Sequence, residues 1–308
     1  MLAAELNFPN PPSDQPQWLA LAQAVWNTQA DPDRHDEYCG GGMRWQIPLS
    51  NNGYNYKNTI ANGCFFNIGA RLARFTDNST YAKHAEDTWD WLVGVGYIDD
   101  KWNVYDGAHI ETNCTDINKA QFSYNAAVLL QGAAFLYNYT EKDIWQTRIN
   151  SLLDRTIEVF FEHEVAYEVS CEPELTCTTD MYSFKGYLHR WLNQVSQLAP
   201  FTSERIRPLL RTSAEAAIQK CIGGDSGRAC GFSWTADAFD GKMGAGQQMN
   251  VLAAVSGLLI GSAGPHSLPR PEREHRPLTT GDKAGAGILT ALILAAATGT
   301  FGWMSWER

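Results

Sequence analysis

Basic residues are scarce and scattered: Lys and Arg total 24 against 34 Asp and Glu, giving a net charge of −10 over 308 residues. No cationic face is dense enough to track phosphates, which argues against nucleic acid as a partner. Metal-ligand spacing is missing too. No pair among the 7 cysteines has the spacing of a zinc site. His109-Ile110-Glu111 stands without the Cys-x-x-Cys that a zinc deaminase requires. Neither a metal nor a cofactor is expected. The first residues, Met1-Leu2-Ala3-Ala4-Glu5-Leu6, have no basic segment and no apolar run, so no leader peptide is visible there. Few stretches alternate with the period of a strand, which argues against a sheet-built fold.

Tryptophan is plentiful, at 11 residues, and aromatics make up 12% of the chain. Most of them fill a core, while a few at loop–helix junctions suit stacking on sugar faces. Cys171 and Cys177 bracket one short polar loop, and Cys221 and Cys230 bracket another. Such pairs look like disulfides of an oxidising compartment. Cys39, Cys64 and Cys114 remain, so at least one thiol lacks a partner within the chain. Sequons at Asn78, Asn113 and Asn138 permit the same compartment without proving it.

Apolar residues recur three and four apart in most of the chain, which predicts helices. A fragment at Leu2–Leu6 is followed by the breaker FPNPPSDQPQ, then by Gln17–Gln29, Asn58–Phe75, Thr80–Val93, Phe122–Tyr139, Lys142–Glu162, Met181–Gln197, Ser203–Cys221 and Gly246–Leu259. The helices come in pairs that resemble one another. Asn62-Gly63 leads to Thr76, a turn and a second helix, and Asn125-Ala126 leads to Thr140 in the same way. The offset is 63 residues at the Asn and 64 at the Thr. Repeated hairpins with polar residues at matching ends predict an all-α ring of hairpins around a shared cavity, with the site built at one rim.

The C-terminal part has a different character. Residues 263–283 are rich in Pro and charge, as in an exposed linker. Ala284–Met304 is a run of 21 residues without a charge, long enough to span a bilayer as a helix, with Trp303 and Trp306 at its far end. The alternative is a buried Ala/Gly core helix. Basic residues are denser before the run than after it. The positive-inside rule would then put the domain in the cytosol, against the cysteines, which point to the secretory pathway, plasma membrane or cell wall.

The segment Tyr105–Thr140 concentrates hydroxyls, amides and one carboxylate ahead of an apolar helix, as a ligand made of hydroxyl groups demands. Several motifs stand in order along the chain. They are Gly40-Gly41-Gly42-Met43-Arg44-Trp45, Asn52-Gly53-Tyr54-Asn55-Tyr56-Lys57-Asn58, Asn62-Gly63-Cys64-Phe65-Phe66, Val104-Tyr105-Asp106-Gly107, Phe122-Ser123-Tyr124-Asn125 and Gly246-Gln247-Gln248-Met249. Together they resemble glycoside hydrolase family 76, in its fungal, membrane- or GPI-anchored Dfg5/Dcw1-like branch. The resemblance covers Met1 to about Gly261 and implies an (α/α)6 barrel over residues 1–262. It implies a retaining mannan endo-1,6-α-mannosidase or transglycosidase acting on α-1,6-mannan or GPI-anchor mannose glycans.

Asp106 is the first candidate for substrate binding, although an Asp-Gly pair equally caps a turn. Tyr124, Asn125 and Asn62 are candidates at helix mouths, against the alternative of helix caps. Trp45 and Trp234 are candidate sugar platforms, and Lys185 and Gln248 are weaker ones. The family's paired aspartates, nucleophile and acid/base, have no match. Asp99-Asp100, the only such pair, follows a helix end and reads as an exposed turn. The expectation is that the pair, about three helices and an entry signal precede Met1. Glu162, Glu164, Glu168 and Glu172 around His163 read as a solvated acidic helix end.

Overall fold

Helix-period patterning becomes nine α-helices among residues 1–6 and 8–261, which the computed structural model describes. They are α1 (Leu2–Glu5), α2 (Trp18–Ala30), α3 (Thr59–Thr76), α4 (Ser79–Gly94), α5 (Ser123–Thr140), α6 (Asp143–Phe160), α7 (Phe184–Leu198), α8 (Ser203–Gln219) and α9 (Ala245–Gly257). The helix expected to run to Glu162 stops at Phe160. Phe161–Glu162 (β4) instead pairs antiparallel with Val165–Ala166 (β5) around a left-handed turn at His163 and Glu164.

Helices α3, α5, α7 and α9 pack each on the next as an inner row. The alternate helices α4, α6 and α8 lie against that row. This is the two-layered hairpin arrangement the repeat predicts. Burial shows which layer is inner: α5 is enclosed from Ser123 to Leu136 apart from Tyr124, as an all-round apolar helix must be. Amides at matching levels join the inner row. Asn67 Nδ2 donates to Gln131 Oε1 at 2.8 Å, and Gln131 Nε2 donates in turn to Gln194 Oε1. Buried amides need such partners, since each unpaired one costs about 1–3 kcal/mol. The hairpin turns repeat as well: α3 ends on a left-handed Asp77 and α5 on a left-handed Glu141.

Three short antiparallel strands cover one end of the row: Tyr56–Asn58 (β1), Gly107–His109 (β2) and Ile117–Asn118 (β3), in that order. Tyr56 faces His109, and Gly107 lies between Asn58 and Asn118. A Cβ on Gly107 would lie 2.5 Å from the Lys57 carbonyl oxygen, so the close approach of β1 and β2 requires glycine.

Disulfides join Cys171 to Cys177 and Cys221 to Cys230, closing the two short loops expected from sequence. A third joins Cys39 to Cys114 across 75 residues, tying the glycine-rich loop to the segment after β2. Cys64 is the free thiol.

The linker at 263–283 and the apolar run at 284–304 lie outside the described residues. Among the described residues, no helix is long and apolar enough to cross a membrane.

Candidate functional site

The inner helices present their N-terminal ends, with their unpaired N–H groups, on the side where the small sheet lies. Asp106 immediately precedes the middle strand β2. The Asp106 carbonyl accepts from Thr59 N at 2.8 Å, and its own N–H donates to Asn118 O at 3.1 Å. The main chain is thus pinned to the start of α3 and to β3. Its carboxylate Oδ2 accepts from Tyr56 Oη at 2.7 Å and from Asn118 Nδ2 at 3.3 Å. Burial pushes the Asp106 pKa above the ordinary carboxylate value, against the opposing hydrogen bonds from Tyr56, Asn125 and Asn118. Burial and the Asp106 charge also raise the Tyr56 phenol, which therefore donates rather than ionises.

Asn125 lies beside this carboxylate. Its amide is fully buried and close enough to the Asp106 carboxylate to lower that group's pKa, although neither its nitrogen nor its oxygen reaches full hydrogen-bond geometry. Tyr124, the preceding residue, stacks on Phe184 with ring centroids 3.9 Å apart and planes 12° apart. Its pKa is raised first by burial and then by the charge of Asp106. Cys64 lies near enough to Tyr124 to contribute to that shift. The Cys64 side chain touches solvent yet is densely surrounded, as befits the wall of a hollow, and burial pushes its thiol up to about 11.

Trp45 extends the rim outward. It is half exposed, its N–H donates to Tyr56 O at 2.7 Å, and its ring meets Tyr56 edge-on at 6.4 Å. The indole lies on Gly53, at φ +86°, where a Cβ would sit 2.3 Å from a ring carbon. Such a ring beside a carboxylate and an open amide suits a sugar, apolar on its C–H face and polar at its edge.

Other expected site residues stand behind this rim. Asn62 is fully buried and wholly engaged: its Oδ1 accepts from Met43 N at 2.7 Å, and its Nδ2 donates to Met43 O and Asn58 O. It holds the loop that carries Trp45. Lys185 is buried with its ammonium donating to both Glu172 oxygens at 2.9 Å and to Phe232 O at 2.7 Å. Trp234 is 2% exposed, packed between Lys185 and His189. Gln248 is exposed on α9 and accepts from Cys230 N at 3.3 Å.

Asp99 belongs to a turn. Its oxygens accept from Lys101 N, Asn103 N, Asn103 Nδ2 and Tyr105 Oη. Burial works to raise its pKa, but these bonds hold it below the ordinary value. Glu168 and Glu172 are buried, at 0% and 7% exposed, which corrects the expectation of a solvated acidic helix end. Tyr56 and Asn118, the partners of Asp106, went unnamed as site residues from sequence. The only signal for Tyr56 was its place in the Asn52–Asn58 motif, and Asn118 had none. Among the described residues, no group of His, Cys, Asp and Glu could hold a metal.

The model of glycosyl hydrolase family 76 matches residues 1–268. The mannan endo-1,6-alpha-mannosidase DFG5 of Saccharomyces cerevisiae is 43% identical over 332 residues, covering 99% of this chain and 71% of that protein. The crystal structure of Dfg5 from Chaetomium thermophilum in complex with glucosamine is 60% identical at a TM-score of 0.84, covering 86% of this chain and 67% of that one. An inactive variant of the α-1,6-mannanase of Salegentibacter sp. HEL1_6, with two aspartates replaced by asparagine and α-1,6-mannotriose bound, superimposes at a TM-score of 0.61. It is 18% identical and covers 78% of this chain and 68% of that one, a likeness of fold.

Proposed function

The chain belongs to glycosyl hydrolase family 76, and from that premise we propose that its rim grips α-1,6-linked mannose, in wall mannan or in the glycans of GPI anchors. The proposed activity is that of a mannan endo-1,6-α-mannosidase or transglycosidase. The observation that carries this reading is the Asp106 carboxylate at the mouths of the inner helices, held by Tyr56 and Asn118 with the incompletely bonded amide of Asn125 beside it. A carboxylate and an amide with free hydrogen-bonding capacity match adjacent sugar hydroxyls, and Tyr124 and Trp45 supply the flanking rings. Asn62, Lys185, Trp234 and Gln248 hold the loops and helix starts around them.

A second reading, mannan binding without turnover by this polypeptide, is favoured by the placement of its other carboxyl groups. A retaining glycosidase needs two carboxyls about 5–5.5 Å apart, one to attack and one to protonate the leaving oxygen. Asp99 is committed to a turn, and Glu168 and Glu172 are closed in the interior. We expect the purified 308-residue polypeptide to bind α-1,6-mannotriose in calorimetry while releasing no reducing ends from α-1,6-mannan. Absence of binding refutes the mannose assignment; turnover refutes the second reading.

Three disulfides and the family's fungal wall enzymes support a place in the secretory pathway or outside the cell. The apolar run at 284–304 is proposed to anchor the protein to the membrane, as its length and lack of charge suggest. Asn78 and Asn113 are exposed. Their Oδ1 atoms accept from Thr80 N at 2.9 Å and from Cys39 N at 2.8 Å, whereas at Asn138 the nitrogen that would carry the glycan itself donates, to Leu198 O at 3.4 Å, while Oδ1 accepts from Arg74 Nε at 2.7 Å. Glycans are therefore expected on Asn78 and Asn113 and not on Asn138. Peptide mapping of protein secreted from a eukaryotic host checks this, and a glycan on Asn138 would contradict it.

A further inference from the structure

Two carboxyl groups lie behind the rim without facing it. Glu168 and Glu172 are both buried. Glu168 Oε2 accepts from Ser123 N at 3.1 Å, and Oε1 pairs with Ser123 Oγ. Ser123 opens α5, whose N-cap, Phe122, has no side chain able to bond the free N–H groups. Glu168 therefore does from a distant loop what a capping residue does locally. The two residues that follow Ser123 are Tyr124 and Asn125. Contacts then continue to the next inner helix. Glu168 N donates to Glu172 Oε2 at 2.5 Å, and Glu172 holds Lys185 through both oxygens at 2.9 Å. Phe184, next to Lys185, is the ring on which Tyr124 stacks.

We propose that Glu168 is a positioning residue for the mannose-binding rim, fixing the first turn of α5 and with it Tyr124 and Asn125. The proposal rests on the mannose reading of that rim. It makes binding sensitive to pH. Burial pushes the Glu168 carboxyl up to about 8, against the Ser123 hydrogen bonds and the Lys185 charge, with Glu172 adding to the rise. The groups facing it are Ser123 and Tyr124 from α5, Lys185 from α7 and Glu172 from its own loop; Asp240 faces Lys185 from the loop before α9. Because the folded value lies above the ordinary one, enclosing this carboxyl is favoured while it is neutral, and that support for the closed loop is lost as pH rises through about 8, although the Ser123 bonds themselves favour the ionised form. Above that point two carboxylates share one ammonium in a closed interior.

Calorimetry with α-1,6-mannotriose on the full polypeptide between pH 6 and pH 9 tests this. Wild-type affinity is expected to fall by about fivefold or more across that range. Glu168→Gln, which keeps the shape and stays neutral, is expected to match wild type at pH 6 and to lose little by pH 9. Glu168→Ala is expected to bind about tenfold more weakly at pH 6 while circular dichroism shows it folded. A Glu168→Gln profile that still falls like wild type overturns the proposal, since the titration then belongs to another group, such as Lys185. So does full affinity in Glu168→Ala. If wild type binds no mannotriose at pH 6, the mannose reading fails by itself. Hydrogen exchange at the Ser123–Asn125 amides then decides: protection lost above pH 8 in wild type but kept in Glu168→Gln upholds the positioning role, and equal protection in both overturns it.

Discussion

Asp106→Asn is expected to weaken α-1,6-mannotriose binding by about tenfold to a hundredfold, with no loss of thermal stability. The two halves of that expectation have separate physical origins. Hydrogen bonds to a charged group contribute about 1.5–3 kcal/mol, and every 1.4 kcal/mol is a factor of about ten in affinity. Asn keeps the shape but loses the charge and one acceptor. It also offers an N–H₂ to Tyr56 Oη and Asn118 Nδ2, both of which now donate to the carboxylate. Stability behaves differently because burial raises the Asp106 pKa. A carboxyl with a raised folded value supports the fold in its neutral form, and that support is lost as pH rises through the folded value. Above that value the charge is a burden on the native state, which the substitution removes. The main-chain bonds of Asp106 to Thr59 and Asn118 remain. Melting above that value should therefore be unchanged or slightly higher than in wild type, a trade of stability for function common at binding sites. A variant that binds normally, or one that melts several degrees lower, would show that Asp106 caps a turn and nothing more.

That alternative was open in the sequence for a physical reason. An Asp-Gly pair before a helix has the same local signature whether it serves a turn or a ligand, and the difference lies in partners far along the chain. Tyr56 comes from 50 residues earlier, through strands only two or three residues long. Strands so short carry no periodic signal. The helices were legible because eight segments, all but α1, carry apolar residues at helical spacing over three or more turns. The inner row was legible because Asn62 and Asn125 recur at an offset of 63 residues and Thr76 and Thr140 at one of 64. What the repeat could not tell was that its two asparagines have opposite fates. Asn62 is spent on the Met43 backbone, while Asn125 is turned to the Asp106 carboxylate without completing a hydrogen bond of full geometry. Glu168 and Glu172 were misread for a related reason. A run of acidic residues is ordinarily solvated, and only Lys185 and the Cys171–Cys177 loop bring these two inside.

Lys57 is the clearest case of a residue whose importance is invisible along the chain, and its substitution should have the largest effect on stability. It sits among polar residues in Asn55-Tyr56-Lys57-Asn58, where a solvated lysine is the ordinary reading, yet it is 0% exposed. Its ammonium donates to Asp36 Oδ1 at 2.7 Å, Tyr38 O at 2.8 Å and Gly41 O at 2.7 Å. One cation thus gathers a loop of consecutive left-handed glycines, Gly40, Gly41 and Gly42, which has no ladder of its own. Burial lowers the Lys57 pKa, and the Asp36 carboxylate opposes that shift. Replacing Lys57 with Met keeps the length and removes the charge, leaving the Gly41 carbonyl without the ammonium, the Tyr38 carbonyl with Gly41 N, and Asp36 with Arg44 and Tyr38 N. Lys57 is enclosed, but Asp36 is partly exposed and keeps Arg44, so the loss is that of unsatisfied partners, about 1–3 kcal/mol. At about 2–4 °C per kcal/mol for a domain of this size, melting should fall by about 2–12 °C. The damage reaches the ligand because Lys57 lies between Tyr56, which holds Asp106, and the bridge to Arg44 beside Trp45. Mannotriose affinity should therefore fall even well below the melting temperature, although Lys57 touches no open surface. The Cys39–Cys114 bridge and the Asn62 amide still tether the loop at its two ends. If those two tethers alone suffice, Lys57→Met will melt and bind like wild type, and the cation's role in building the rim would have to be abandoned.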